Sequence, residues 1–180
     1  MRGRWRLTRV LVLAVLSLVA PRLTFAQGAE EYKVKAAFLF NFAKFVDWPP
    51  DAYAPPGEAL VICILGDDPF GSALDSIAGK SVGQRQLIIK RTKRMEDVQT
   101  CNILFVCASE RERVQSILQA ARTAHALTVS DMDQFVQQGG MIGLVSSDDK
   151  IRFRVNVKAA KGSALQISSK LLKLADLVIE

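Results

Sequence analysis

Residues 60–66 read LVICILG, and residues 102–108 read NILFVCA. Both segments are apolar at consecutive positions rather than at alternate ones, which is typical of strands buried on both faces of a sheet. Further strands are predicted at 85–91 (RQLIIKR) and 126–130 (ALTVS). Because helical patterns separate these strands, the sequence predicts a mostly parallel sheet with helices on both faces.

The segments around these strands complete the predicted fold. Helices are expected at 30–46, 70–78, 109–124, 131–139 and 163–178. The run MIGLVSSDDKIRFRVNV at 141–157 alternates apolar and polar residues on either side of Ser147-Asp148-Asp149, which predicts a β-hairpin. The expected fold class is α/β: one three-layer α/β/α domain over residues 27–180, with a mostly parallel sheet and a C-terminal antiparallel hairpin.

The first 26 residues have the features of a secretory signal peptide. A basic start, MRGRWRLTR, precedes an apolar run at 10–20, and Thr24 and Ala26 follow where signal peptidase accepts small residues. The apolar run is shorter than the roughly 20 residues that span a bilayer. We expect cleavage between Ala26 and Gln27, and an uncleaved membrane anchor is the alternative.

The charge of the remaining chain is nearly balanced. The whole sequence has 24 Lys and Arg against 18 Asp and Glu; five arginines and no acidic residue lie in the first 26 positions, which leaves 19 basic and 18 acidic residues. This balance argues against nucleic-acid binding, which needs a basic stripe.

The sequence does not predict a metal site. Its three cysteines, an odd number, form no CxxC pair, and His125 is the only histidine.

Polar side chains follow three of the predicted strands. In parallel sheets, ligands bind beyond the carboxyl ends of the strands. Asp67, Asp68 and Ser130 are therefore a candidate crevice for a small ligand or cation. Helix capping is the alternative, since Asp68 precedes a proline, Ser109-Glu110 fits a capping box, and Ser130 or Asp131 precedes a predicted helix.

No motif predicts an enzyme. A Cys107–His125 pair is conceivable, but Cys107 lies in an apolar strand where thiols are usually inert. Ser168-Ser169-Lys170 lacks the SxxK spacing, and QGGMIG does not match a dinucleotide-binding fingerprint. We expect no catalytic residues and no cofactor.

The predicted helix at 30–46 carries more apolar surface than one sheet contact requires. Six of the thirteen aromatic residues lie between Tyr32 and Trp48, and the apolar side covers half of the circumference or more. Phe40 alone falls on the polar side, beside Asn41 and Lys44. A fully buried helix with one stray aromatic is one interpretation. A contact surface for a second copy or another protein, formed by these three residues, is the other.

The segment EYKVKAAFLFNFAKFVDWP closely resembles the opening motif of the YfiR-like family of small exported proteins. Further segments match in order: ICILGDDPFG, CNILFVCASE, LTVSD, GGMIGLV, IRFRVNV and ISSKLLKLA. The resemblance implies a periplasmic α/β protein that binds the periplasmic domain of an inner-membrane diguanylate cyclase and represses it. Cyclic-di-GMP and biofilm formation then fall, and an outer-membrane lipoprotein can sequester the repressor.

The resemblance also bears on the cysteines. It implies a disulfide between Cys63 and Cys101, with Cys107 unpaired; a Cys63–Cys107 bond between neighbouring strands is the rival. The second disulfide of some family members is absent, because no cysteine follows Cys107. The family's usual AGL is replaced by Ser163-Ala164-Leu165.

The sequence leads to two hypotheses about function. The chain is either a non-enzymatic regulator that binds a signalling protein, or a small-ligand sensor that uses the strand-end crevice.

Overall fold

The structure is a computed structural model that describes residues 22–50, 58–148 and 150–180, with side chains from residue 28 onward in the first helix. The predicted leader therefore lies almost wholly outside the described residues. In the described part of the chain, no helix combines the length and apolarity needed to cross a membrane.

The helices and strands follow in chain order. The α-helices are α1 (Arg22–Phe45), α2 (Val114–Thr123), α3 (Val157–Gly162) and α4 (Ser169–Leu172), with 3₁₀ helices at Gly71–Ser76, Met95–Thr100 and Ala108–Arg113. The strands are β1 (Val46–Asp47), β2 (Leu60–Leu65), β3 (Ser81–Val82), β4 (Arg85–Thr92), β5 (Ile103–Val106), β6 (Leu127–Ser130), β7 (Ile142–Ser147), β8 (Lys150–Asn156), β9 (Gln166–Ile167) and β10 (Leu177–Ile179).

Eight strands form one mixed sheet in the order β10-β8-β7-β6-β5-β2-β4-β3. Neighbours are parallel except for the β7–β8 hairpin and the short β3–β4 pair. β1 and β9 make a separate antiparallel pair. The predicted fold class, a mostly parallel α/β sheet with a later antiparallel hairpin, is confirmed.

The central strands bury both faces, as their continuous apolar runs predict. Alternate residues of β2 and β5 contribute to two different core clusters. Ile62 and Phe105 face α1, whereas Cys63 and Leu104 face α2. The sheet is therefore the middle of three layers.

α1 supplies most of the first layer. Its buried face includes Ala36, Leu39 and Phe42, each with no exposed surface. The ring of Phe42 lies 5.4 Å from the ring of Phe153 in β8, edge to face. The aromatic residues of this helix thus fill the space between it and the sheet.

The disulfide joins Cys63 in β2 to Cys101, just before β5, with the Cα atoms 5.8 Å apart. Cys107 is a free, buried thiol. Cys63 belongs to the α2-side core and Cys107 to the α1-side core, so the rival Cys63–Cys107 pairing would have to pass through the sheet. The structure has the bond that the family resemblance implied.

Two predicted helices are wrong. Residues 131–139 form turns, and Gln134 adopts a φ of +58°, a left-handed conformation that a helix does not accommodate. Residues 163–178 are not one helix either, because Ala164 has a φ of +55° and the chain then forms β9, α4 and β10. The apolar spacing of this segment reflects separate contacts with the α1-side core rather than a helix face.

Three other predicted elements have different boundaries in the structure. α1 begins at Arg22 rather than residue 30, so its backbone runs across the expected cleavage site. The helix predicted at 109–124 begins as a 3₁₀ helix and becomes α-helical only at Val114. The strand predicted at 102–108 is shorter, at Ile103–Val106.

We predict that Phe42→Ala lowers the free energy of unfolding by about 3–5 kcal/mol, because a large ring is removed from a fully packed site. Phe40→Ala is the matched control on the same helix. Its ring is only half-buried, so it should lose less than half as much. Urea denaturation measures both, and equal losses would show that α1 is buried on all sides.

We predict that Cys63→Ala/Cys101→Ala lowers the free energy of unfolding by about 4 kcal/mol, since the bond closes a long loop in the unfolded chain. Addition of a reductant should lower the melting temperature of the parent protein and of Cys107→Ala, but not of the double variant. Peptide mapping that recovers Cys63 bonded to Cys107 would contradict this assignment.

Candidate functional site

An apolar groove lies between α1 and the β8 side of the sheet. It is lined by Val34 and Phe38 of α1, by Ile151 of β8 and by Leu174, which follows α4. We call these four residues the edge groove. Val34 is 45 % exposed and Leu174 73 % exposed.

The local fold explains why these side chains remain exposed. β10 is the last strand of the sheet on this side and has only three residues, while α4 has only four. Leu174 lies in the short connection between them. Phe38 packs one side of its ring on Phe153, with ring centroids 5.5 Å apart, and is left half-buried.

Charged residues border the edge groove at both ends. Glu30, Glu31 and Lys150 lie at the Val34 end, and Arg152 and Asp176 lie at the Leu174 end. Arg152 forms an ion pair with Asp176 at 3.2 Å. An apolar strip with a charged border has the composition of a protein contact surface rather than of a small-molecule pocket.

The predicted strand-end crevice is occupied by internal contacts. Asp67 pairs with Lys93 at 2.5 Å and Asp68 with Arg91 at 2.7 Å, and Asp68 also accepts a hydrogen bond from the backbone N–H of Phe70. The buried Ser130 Oγ donates to the carbonyl of Val106 and accepts from the N–H of Met132.

The strand ends also pack closely. Gly66 has a φ of +107°, and a Cβ there would lie 2.9 Å from Cγ of Glu110. Only a shallow depression remains beside Asp67, Asp68 and Arg91. Within the described ranges, no group of three or more His, Cys, Asp or Glu residues is placed to hold a metal ion.

The candidate catalytic pair is not assembled. Cys107 lies at the carboxyl end of β5, whereas His125 precedes β6, which runs parallel to β5, so the two lie at opposite ends of the sheet. Burial, followed by the charges of Asp68 and Asp131, raises the pKa of the Cys107 thiol to about 12. His125 Nδ1 lies 2.8 Å from the carbonyl oxygen of Ser163.

A buried charge cluster lies where α1 passes over the strand ends. Lys35, whose side chain is 5 % exposed, contacts Asp131 and Glu31, each at 2.6 Å. The hydroxyl of Tyr32 donates to Asp131 at 2.9 Å, and the Lys35 ammonium lies 4.2 Å from the centre of the Tyr32 ring. Sequence reasoning missed this cluster, although Lys35 stands on the apolar side of the helical plot.

The cluster fixes the charge states of Lys35 and Tyr32. Burial alone would lower the pKa of Lys35, but the hydrogen bonds to Asp131 and Glu31 outweigh it and the pKa is raised. Burial and the nearby Asp131 carboxylate raise the pKa of Tyr32 to about 12. At neutral pH, Lys35 is therefore a cation and Tyr32 a neutral donor, which ties α1 to the segment after β6.

The predicted contact residues on the polar side of α1 lie together. Phe40 is half-buried, and its ring centre lies 4.1 Å from the Lys44 ammonium and 5.4 Å from that of Lys80. Asn41 and Lys44 are exposed. Phe40 is thus neither a stray exposed ring nor a core residue, and its role in a contact stays a prediction.

Comparisons with protein families and with solved structures found similarities to this chain. A family model described as YfiR/HmsC-like matches residues 32–176. No curated protein matches the sequence. A conserved domain protein from Vibrio cholerae O1 biovar El Tor superposes with a TM-score of 0.54 and 11 % identity; the match covers 79 % of this chain and 59 % of that one.

A second solved structure is less similar. The ABC domain in complex with L-Trp from Streptococcus pneumoniae superposes with a TM-score of 0.47 and 9 % identity, covering 67 % of this chain and 55 % of that one. At these identities, the likeness to the Vibrio protein concerns the fold alone.

We predict that Lys35→Met and Asp131→Asn each lower the free energy of unfolding by about 2–4 kcal/mol, because each breaks the buried ion pair and leaves the remaining charge with one partner fewer. The double variant should lose clearly less than the sum of the two, since it removes both charges. Urea denaturation of the three variants provides the double-mutant cycle. Additive losses would show that the ion pair contributes nothing specific.

Proposed function

The chain belongs to the YfiR/HmsC-like family, and from this membership we propose that it is a periplasmic, non-enzymatic regulator that binds the periplasmic domain of an inner-membrane diguanylate cyclase. Binding holds the cyclase inactive, so that cyclic-di-GMP and biofilm formation fall. An outer-membrane lipoprotein that sequesters the regulator would release the cyclase.

The observation that carries the proposal is the exposed edge groove. A protein that binds another protein leaves an apolar patch on its surface, whereas a ligand-binding protein encloses a pocket with convergent polar groups. The edge groove is open and apolar, with Leu174 the most exposed of the large hydrophobic side chains that the structure describes. We assign the cyclase contact to this groove.

The disulfide supports the proposed location. Thiols stay reduced in the cytoplasm and are oxidised in the periplasm. The Cys63–Cys101 bond lies inside the core between β2 and the segment before β5, where both sulfur-bearing side chains are buried. Together with the expected signal peptide at residues 1–26, this supports export.

The strand ends support a binding role over a catalytic or ligand-sensing one. Asp67, Asp68 and Ser130 each use their side-chain oxygens in contacts within the chain. A ligand at this edge would have to break those contacts. The small-ligand sensor is therefore the less supported of the two hypotheses.

We predict that Leu174→Glu abolishes capture of the cyclase. The tagged mature protein is incubated with detergent-solubilised inner membrane, and the bound cyclase is identified by mass spectrometry and by its diguanylate cyclase activity. A charge placed in an apolar contact should lower recovery tenfold or more. Because Leu174 is mostly exposed, the melting temperature should change little.

Ile88→Glu is the matched control, since Ile88 is 50 % exposed on β4. This strand lies near the edge of the sheet opposite to β8 and β10. It should capture the cyclase like the parent protein. Cells carrying Leu174→Glu should also contain more cyclic-di-GMP than cells carrying Ile88→Glu. Equal capture by the two variants would remove the edge groove from the proposal, and capture of no cyclase by the parent would overturn the proposal itself.

A further inference from the structure

The segment that follows β8 is unusually basic. Residues 157–175, which include α3, β9 and α4, contain four lysines and no acidic residue. Because residues 27–180 have 19 basic and 18 acidic side chains in total, the remainder of that range carries a net negative charge. The lysines therefore do not belong to a generally basic surface. They are Lys158, Lys161, Lys170 and Lys173, and we call these four residues the lysine face.

The lysine face lies on the outer side of one layer of the fold. The two lysines of α3 are three positions apart, and so are the two at α4, so that each pair lies on one side of its helix. The other sides of these helices are buried in the α1-side core, through Ala160 in α3 and Leu171 in α4. All four lysines are exposed.

Contacts around β9 hold the two short helices in this layer. β9 lies beside α3, and its Ile167 pairs with Val46 of β1. The backbone N–H of Ser168, the N-cap of α4, donates to the carbonyl of Phe45 at 2.9 Å. Both helices are thus fixed beside the end of α1, and the two pairs of lysines share one surface.

The lysine face has no counter-ions within the chain. None of its four ammonium groups forms an ion pair with a carboxylate in the part of the chain that the structure describes. Lys33, Lys90 and Lys93, by contrast, each pair with a carboxylate at 2.5–2.8 Å. The charge of the lysine face is therefore available to an external anion.

The composition of the segment does not fit a protein contact. Protein interfaces are enriched in aromatic residues, Met and Arg, and are depleted of Lys, Ser and Ala. Residues 157–175 contain no aromatic residue, no Met and no Arg, but are rich in Lys, Ser and Ala. Lysines on flexible stems act as separate point charges, which suits many mobile phosphate groups better than one fixed partner.

We propose that the lysine face docks this protein on the surface of a bilayer that contains anionic phospholipids. The ammonium groups contact the lipid phosphates, and neither short helix enters the hydrocarbon. Each lysine close to an anionic bilayer strengthens binding about fivefold, so that four together contribute a few hundredfold. The attraction extends only about one Debye length from the surface, so binding is reversible and sensitive to salt.

This inference goes beyond the proposed function, because it requires no cyclase. The two are compatible in space, since Leu174 of the edge groove directly follows Lys173. A chain docked through the lysine face would hold the edge groove beside the bilayer. In the proposed function, that bilayer is the one in which the cyclase is embedded.

Vesicle co-sedimentation tests the docking. The purified mature protein is mixed with vesicles of equal parts phosphatidylglycerol and phosphatidylcholine, or with vesicles of phosphatidylcholine alone. It should sediment with the anionic vesicles and remain in solution with the neutral ones. Binding should be lost at about 1 M sodium chloride, where charges are screened beyond roughly 3 Å.

Two pairs of substitutions locate the contact. Lys158→Gln/Lys161→Gln and Lys170→Gln/Lys173→Gln should each weaken binding to the anionic vesicles about tenfold or more. Glutamine keeps the helix propensity of lysine, and all four positions are exposed, so the melting temperatures should not change.

Arg111→Gln/Arg122→Gln is the control with the same change in net charge. Both arginines are exposed, and they lie in and just before α2, on the opposite face of the sheet. This variant should weaken binding less than about threefold, since its charges lie more than a Debye length from a bilayer docked on the lysine face.

Three results would overturn the inference. They are failure of the parent protein to bind the anionic vesicles, equal binding to the neutral vesicles, and equal losses in the lysine and arginine variants. None of them bears on the proposed function, because the vesicles contain no cyclase and the capture of the cyclase is measured in detergent without a bilayer.

Discussion

The packing of α1 across one face of the sheet is the contact on which the rest of the structure depends. A parallel sheet must be covered on both faces, because its strands are apolar on both sides. α1 covers this sheet from the strand ends, where Tyr32 packs on Phe70, to β8, where Phe42 packs on Phe153. The buried Lys35–Asp131 pair fixes its position near one end. The edge groove borders this helix, so its shape depends on that position.

The central sheet is predictable from the sequence because its strands consist of consecutive apolar residues. The runs LVICIL at 60–65 and ILFVCA at 103–108 have no polar position that could face water, which is typical of strands in a sheet covered on both sides. The hairpin is equally predictable, since Phe153 and Val155 alternate with exposed or half-exposed residues across a clear turn. In each case the local pattern and the tertiary burial agree.

The segments that sequence reasoning missed are those where tertiary contacts override local preference. Ala164 takes a left-handed conformation that alanine alone disfavours, because the chain must turn there to bring Ile167 beside Val46. β10 is three residues long, too short for periodicity to reveal. Lys35 stands among apolar residues, and its partner Asp131 lies almost a hundred positions away, so that only the fold brings the two together. The edge groove likewise combines residues from α1, β8 and the connection after α4.

The position of the disulfide has a consequence for the life of the newly made chain. β2 and β5 are adjacent strands at the centre of the sheet, and the Cys63–Cys101 bond ties the segment before β5 to β2. In a reducing compartment this bond is absent. The free energy of unfolding is then lower by roughly 4 kcal/mol, the amount that loop closure contributes. In a chain exported as we propose, the reduced precursor would therefore be easier to unfold and to pass through a translocation channel. Oxidation after translocation would then stabilise the folded chain and hinder its return.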